Sequence, residues 1–575
     1  MHYKCLSVGL FLAGHLAAGT YYVASNGSNS GTGSAASPWK TIEYAAANIP
    51  DDGSTVIVKS GMYSGRIRMN RIFTKKAYFR SEIPYKARLT ATSEVLMTVY
   101  GGANFEVSGF EFMRSQGATG LFLVHLQNST ARNVTFRNNI FHDSYNNDLV
   151  KINNGASNII VEDNVFYNQS GSDEHLDING VVNVVIRDNV FFNDFKGSGR
   201  TNANNTSSFI VIKNSARLPE NHDITVQRNV FLNWEGSVGQ YFVLVGEDGR
   251  SGFEAERVMV ENNLLIGNSA NTMRAPFGVK GARDVTFRNN TVTGNLPSNA
   301  FGMRLNREGS NPVNERILFY NNIWSDPTGT MNDFSDGLPA ETSGAVMKRN
   351  VFWNRGAAIP ADLDVLNYFD DKEAILGNPV LPAISTVVLP RWNGSSFLSG
   401  STSIAAEHSR LVNAYGVPGS GSVAIDAADP AQSPAEDILG RPRGTKPDVG
   451  AVEQQGESPT STPTPTPSPT PTPTPTTITI DVSLSATGVL GGTSSTSHQV
   501  LLSSPAPAGG VVVPLATSDP TLATVPQSVT VPQGQTSAFF TIQTKRVSTT
   551  TPVALRTTYG GVARYLCTFF VRAAQ

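Results

Sequence analysis

The chain has 575 residues, more than one ordinary core holds and enough for two or three domains. Its 44 basic and 46 acidic residues leave a formal net charge of −2, which excludes an electrostatic footprint for nucleic acid or an anionic membrane surface. Only 16% of residues are charged, glycines number 52 and Asn-Asn pairs recur, a composition of an extended β protein with many turns rather than a helical bundle. The two cysteines, Cys5 and Cys567, cannot form a disulfide framework or a multi-cysteine metal site.

Residues 1–19, MHYKCLSVGLFLAGHLAAG, read as a secretory signal peptide: Lys4, then an apolar run from Leu6 to Leu16, then small residues at Ala17, Ala18 and Gly19. No other stretch is apolar enough to span a bilayer. Thr41 to Asn48 reads as a short helix that covers the open apolar end of the repeats downstream of it.

Residues 20–455 are dominated by a repeat. NVTFRNNIF, NIIVEDNVF and NVVIRDNVF begin at Asn133, Asn158 and Asn183, 25 residues apart. Further copies begin at Asp223, Arg257, Asp284, Arg316 and Ala345, with wider spacing. Each alternates apolar and polar residues, so each is a strand with one face inward. A second strand type precedes each copy: LVKIN from Leu149, HLDIN from His175, IVIKN from Ile210, FVLVG from Phe242 and FGVKG from Phe277. Several short strands per repeat, insertions at one place and no helical pattern between them predict a right-handed parallel β-helix. Asn139, Asn164, Asn189, Asn229, Asn263, Asn290, Asn322 and Asn350 fall at one position of successive coils, where their amides can hydrogen-bond up the stack. Arg137, Glu162 and Arg187 form an outward column of alternating sign, read as cross-strand pairing. The segment from Ile425 to Glu453 is expected to end the stack.

Residues 456–477 form a Pro/Thr-rich linker, whose stretch from Ser458 to Thr477 combines Pro only with Thr and Ser, an extended spacer that cannot pack a core. Residues 478–575 return to short alternating runs with Gly and Pro turns, which predicts an immunoglobulin-like β-sandwich accessory domain.

Chemistry concentrates in three consecutive coils. Asp148 precedes LVKIN, and the next coil carries Asp173, Glu174, His175 and Asp177 in GSDEHLDIN. The following coil carries Lys213 in IVIKN. Carboxylates crowded one coil spacing apart repel unless a cation joins them, and hard oxygen donors suit Ca²⁺. A lysine beside such a site is a candidate base for taking the proton next to a uronate carboxylate. Lys151, His175, Lys280 and Arg304 are candidate substrate contacts, with Arg307 and His142 as lesser ones, and Glu247-Asp248 is a second acidic pair.

An Asp, then Asp-acidic-x-x-Asp one coil later, then a Lys one coil further resembles the polysaccharide lyases of the exopolygalacturonate lyase type, the ninth lyase family. The resemblance implies that Asp148, Asp173, Glu174 and Asp177 hold Ca²⁺ and that Lys213 is the Brønsted base. Glu174, with His175 beside it, departs from the family's usual Asp and smaller residue. The resulting expectation is a secreted, monomeric polysaccharide lyase acting on an acidic polymer, with no nucleic-acid partner and no membrane span. Two other readings stand beside it. One is a non-catalytic glycan-binding or adhesion β-helix. The other is a glycoside hydrolase, which needs two facing carboxylates but for which the Gly-His-Gly and Arg-Ile-Lys elements of pectin-hydrolysing β-helices are missing.

Overall fold

Asn133, Asn158 and Asn183 all adopt φ near +55°, and so do Asn138 and Asp163, with Asp188 at +59°. Asn and Asp tolerate this left-handed backbone better than other side chains, because their short polar groups bond locally. Two such residues per repeat set where the chain bends, and the bends turn a string of strands into coils. In the computed structural model the described residues are 18–218, 221–454, 480–483, 488–502, 506–507, 509–559 and 562–573. The expected signal peptide, but for its last two residues, and the expected Pro-rich spacer lie outside them.

The coils stack into three long sheets of 13, 10 and 12 strands, in which every pairing is parallel. The first sheet contains Arg132–Arg137, Ser157–Glu162 and Val182–Arg187. The second contains Val150–Asn153, Leu176–Asn179 and Ile210–Lys213. The third contains Ile140–His142, Val165–Tyr167 and Val190–Phe192. This is a parallel β-helix, an all-β solenoid. Its interior is filled by aligned side chains, among them Phe112, Phe141, Phe166, Phe191 and Phe231, with successive ring centroids 4.6–5.1 Å apart. That is one ring per coil at the spacing of neighbouring parallel strands.

The eight asparagines form the buried ladder. Asn164 Oδ1 accepts from Asn139 N at 2.9 Å and from Asn139 Nδ2 at 3.2 Å, while Asn139 Nδ2 also donates to Val107 O at 2.9 Å. The pattern repeats up to Asn350, whose backbone and side-chain N–H groups both donate to Asp371 Oδ2. Outside the first sheet, Arg137 Nε and Arg187 Nε donate to opposite oxygens of Glu162, at 2.6 and 2.7 Å.

A helix, Ile42–Asn48, lies at the N-terminal end and buries Ile42, Ala45 and Ala46; Thr41 Oγ1 caps it by accepting from Tyr44 N at 3.2 Å. At the other end Leu366 is buried, and Ile359, Val365 and Tyr368 pack on the last core layer. The segment 425–453 does not end the stack as expected. It runs along the flank: Asn262 Nδ2 donates to Glu436 O, Asn289 Nδ2 to Asp448 O and Asn321 Nδ2 to Asp429 O. These asparagines sit in left-handed turns whose amides point outward from the coil, and the segment supplies their acceptors.

The chain clusters into two compact units, Met1–Ile438 with Pro442–Gln454, and Leu439–Arg441 with Gln455–Gln575. The second holds a four-stranded antiparallel sheet and a five-stranded sheet, antiparallel but for Gly488–Leu490 beside Val562–Arg572. Val500, Val513, Phe540, Ile542, Leu555 and Phe569 are in its core. Among the described residues no helix is long and apolar enough to cross a membrane.

Candidate active site

Alternation decides which side chains of the second sheet face outward. Val150 and Ile152, Leu176 and Ile178, and Ile210 and Ile212 point into the core, so Lys151, Asp177, Val211 and Lys213 point out. The register pairs Lys151 with Asp177 and Asp177 with Val211, and sets Lys213 opposite Asn179. Lys213 therefore stands diagonally across from Asp177, and its Nζ lies 3.7 Å from Asp177 Oδ2.

Asp148 and Glu174 come from the turns that lead into these strands. Asp148 Oδ1 accepts from Glu174 N at 3.0 Å, which ties the two turns together. Carboxylate oxygens of Asp148, Glu174 and Asp177 all lie within 4.8 Å of one another. All three residues are at most 2% exposed. Glu174 Oε2 and Asp177 Oδ1 are buried without any hydrogen-bond partner. Asp173 is placed apart from these three: it is held by Asn147 Nδ2 at 2.8 Å, and Ser207 N donates to its carbonyl at 2.9 Å.

Two ammonium groups balance part of this charge. Lys151 Nζ pairs with Asp177 Oδ2 and lies 3.4 Å from Asp148 Oδ2. Lys213 Nζ pairs with Glu247 as well as Asp177. Burial works against both ammoniums, but Asp177 first, with Asp148 for Lys151 and Glu174 and Glu247 for Lys213, holds each pKa above the ordinary lysine value. Burial, then the Asp177 charge, pushes Asp148 up; burial, then Asp148, pushes Glu174 well above its ordinary value. Asp148, Glu174 and Asp177, with Glu247 beside them, set four carboxyl groups against two ammoniums, and burial with mutual repulsion drives Asp148 and Glu174 toward the protonated form. Buried carboxylate oxygens with no donor need a proton or a cation. A hard oxygen set of this kind fits Ca²⁺.

The remaining sequence candidates are dispersed. His175, expected at the substrate, does not reach a groove: it is fully buried, stacked on Phe209 at 4.3 Å, with Nε2 3.1 Å from Asn193 Oδ1. Burial lowers its pKa to about 3, so it stays neutral. Lys280 and Arg304 do face outward on the second sheet, two and three strands beyond Ile210–Lys213. That is ~10 and ~14 Å along the stack. Lys280 pairs with Glu308 at 3.1 Å, and Arg304 and Arg274 share Asp336 at 3.0 and 3.2 Å. His142 is buried on the third sheet between Glu111 Oε1 at 3.1 Å and Asp143 Oδ2 at 2.7 Å.

Two features are not tied to the site by sequence. Glu247 reads as part of an acidic pair, but nothing local links it to Lys213, because it lies in the loop after Tyr241–Val245 and reaches the lysine only through stacking. Lys151 reads as a substrate contact, yet it occupies the third place of LVKIN as Asp177 does of HLDIN, and that shared place makes them partners.

No protein-family model and no curated protein sequence matches the chain. Among solved structures, XylC in complex with xylose is similar at a TM-score of 0.45 and 11% identity, over 76% of this chain and 98% of that one. The A-module of the Azotobacter vinelandii mannuronan C-5 epimerase AlgE4 is similar at a TM-score of 0.38 and 14% identity, over 58% of this chain and 93% of that one. A rhamnogalacturonan lyase is similar at a TM-score of 0.35 and 14% identity, over 66% of this chain and 94% of that one. Likeness at these levels says nothing about the chemistry of individual residues.

Proposed function

We propose that the chain is a secreted, Ca²⁺-dependent polysaccharide lyase that cleaves a uronic-acid-containing polymer by β-elimination. The observation that carries this reading is the trio Asp148, Glu174 and Asp177, three buried carboxylates with two unpartnered oxygens, set directly beside Lys213. Asp148, Glu174 and Asp177 would hold the ion. When bound there, Ca²⁺ supplies positive charge that offsets the charge developing on the sugar carboxylate.

The chain's own groups do the rest. Lys213 Nζ, as the free amine, accepts the proton from the carbon beside the uronate carboxylate. That electron pair becomes the new carbon–carbon double bond, the bond to the glycosidic oxygen at the β position breaks, and the departing oxygen takes a proton from water. Lys213 must lose its proton first. With Asp177 and Glu174 both taken up by a cation, Lys213 would keep Glu247 as its close counter-charge, and its hold on the proton would weaken. Lys280, Arg304 and Arg274 lie further along the same outer face and would meet carboxylates of neighbouring sugar units. In this reading residues 456–477 are a spacer and 478–575 an immunoglobulin-like accessory domain.

The second reading is a glycan-binding protein without catalysis. One observation favours it: Lys213 is paired on both sides, with only 12% of its side chain exposed. The two separate in one assay. Purified protein is mixed with a panel of uronic-acid polymers, with Ca²⁺ or with chelator, and the absorbance of unsaturated uronate is followed. A Ca²⁺-dependent rise that disappears in Lys213→Ala supports the lyase. A polymer that binds while no absorbance develops supports the binder, and release of reducing sugar without absorbance would indicate hydrolysis.

A further inference from the structure

The outer face of the second sheet continues past the acidic cluster towards the N-terminus, and its character changes there. Tyr100, Gln127, Asn153 and Asn179 form one column across four successive strands, in register. Tyr100 is three coils from Asn179 and four from Lys213, ~19 Å along the stack. It is 40% exposed. Its ring is fixed rather than free to swing: Tyr100 Oη lies 3.0 Å from His125 Nδ1, and His125 Nε2 lies 3.1 Å from Asn153 Oδ1. Beside it is an open depression of about 330 Å³ lined by Tyr100, Gln127, Asn128, Ser129 and Asn154.

The chemistry of this lining is specific. An aromatic face packs against the C–H face of a pyranose, and amide and hydroxyl groups match sugar hydroxyls as donors and acceptors. No lining residue carries a charge. Burial lowers the His125 pKa, and burial raises that of Tyr100, so both remain neutral. The nearby Arg66 is paired with Glu94 at 3.7 Å. A uronate seated here would meet hydrogen-bond donors but no cationic side chain in the lining, so its carboxylate gains less than it would beside a lysine or arginine. The face is thus asymmetric, with lysine and arginine on the C-terminal side of Lys213 and an uncharged aromatic pocket on the N-terminal side.

We propose that the depression at Tyr100 is a subsite for an uncharged sugar, so that the polymer this face accommodates is a heteropolymer carrying a neutral pyranose about four units from the uronate at Lys213. The identity of the polymer as a uronate rests on the function proposed above, whereas the neutral subsite rests on the pocket itself. Binding is therefore measured without catalysis. Isothermal titration is run in chelator, on the protein and on Lys213→Ala. The probes are uncharged hexasaccharides of glucose, galactose, mannose and xylose, with hexagalacturonate alongside. The expected result is that at least one neutral oligosaccharide binds, equally in both proteins, and weakens roughly tenfold or more in Tyr100→Ala. Tyr100→Phe, which keeps the ring and drops the contact to His125, should retain most of the binding. Binding of no neutral probe overturns the proposal, and so does neutral binding that Tyr100→Ala leaves unchanged at an unaltered melting temperature. Neutral binding through Tyr100, with no unsaturated product from any polymer, would keep the subsite and remove the lyase.

Discussion

Lys151 and Lys213 meet at one oxygen, Asp177 Oδ2, and their competition with a cation makes the site testable residue by residue. Lys151 lies where it neutralises Asp177 and Asp148 together. Replacing it by an uncharged chain of similar length, Lys151→Met, leaves Asp148 without a counter-charge and Asp177 with Lys213 alone, a loss of up to about 3–5 kcal/mol. In chelator the variant should therefore melt well below the parent. In Ca²⁺ it should recover, and titration calorimetry should show tighter Ca²⁺ binding, because no ammonium has to be displaced. A Lys151→Met protein that is destabilised equally in chelator and in Ca²⁺ would show that Lys151 is only one rung of a surface charge ladder. His142 gives a second test on a different sheet. Burial alone would depress its imidazole, but Asp143, with Glu111, outweighs burial and raises the pKa from an ordinary 6.5 to about 9. Arg200 Nη1 holds the far oxygen of Asp143 at 2.8 Å, and Tyr167 stacks on the ring at 4.7 Å. A folded-state pKa raised in this way contributes stability that is complete below pH 6.5 and is lost as pH rises through 9. The amount is about 3 kcal/mol. Denaturant unfolding at pH 6 and pH 10 should show that loss, and His142→Gln should remove the pH dependence over this window. The residue scale also shows where sequence stops being readable. Asp148, Glu174 and Asp177 are legible because their 25-residue neighbourhood is regular. His175 is not, because a histidine next to acidic residues looks exposed, whereas the turn places it among Phe191 and Phe209.

The strand and its turns are the next scale, and here the repeat explains most of what is seen. Each coil needs a left-handed residue before its ladder asparagine, and Asn138, Asp163 and Asp188 supply it. Each ladder asparagine satisfies one carbonyl below and two N–H groups of its neighbour. Asn189 Nδ2 donates to Val161 O at 2.9 Å and to Asn229 Oδ1 at 3.0 Å, while its own Oδ1 accepts from Asn164 N and Nδ2 at 2.9 and 3.0 Å. Asn189→Ala strands all of these groups in the dry interior, where each unsatisfied partner costs about 1–3 kcal/mol. The expected loss is about 3–5 kcal/mol by denaturant unfolding. Asn183→Ala, on the exposed column where Asn183 bonds only to Asn158 Oδ1 at 2.7 Å, should cost about 1 kcal/mol, mostly for its left-handed backbone. Equal losses at the two positions would mean that the ladder is not what holds the turns. The ladder itself is readable because it repeats. Its terminus is not, since Asp371 lies beyond the last copy and takes the asparagine's role with a different residue. The placing of Lys213 depends on the same distinction. Aligning IVIKN with HLDIN by the shared Asn would put Lys213 level with Ile178, facing the core, whereas the inward Ile210 and Ile212 force it outward beside Asn179. Alternation is the stronger guide, because a one-residue slip would bury the charge.

At the scale of the whole chain, two units with separate cores should respond separately to the same ion. The β-helical unit carries the trio Asp148, Glu174 and Asp177, and a second, more exposed acidic group at Asp333, Asp362 and Asp364. Among the described residues these are the two groups of three or more acidic, His or Cys side chains close enough to share a metal, and neither lies in the unit of the C-terminal sheets. Ligand binding to the folded state alone stabilises by RT ln(1 + [L]/Kd), about 2.7 kcal/mol at a hundredfold excess over Kd. Calorimetry of the full chain should therefore resolve two transitions, of which Ca²⁺ raises one and leaves the other in place. The raised transition should be the one that also falls between pH 6 and pH 10, because His142 belongs to the same unit. Asp177→Asn separates the two acidic groups: it removes the shift if the ion sits beside Lys213. A shift that survives Asp177→Asn but is lost in Asp364→Asn would move the ion to the exposed group, far along the stack from Lys213, and would leave the proposed elimination without its cation.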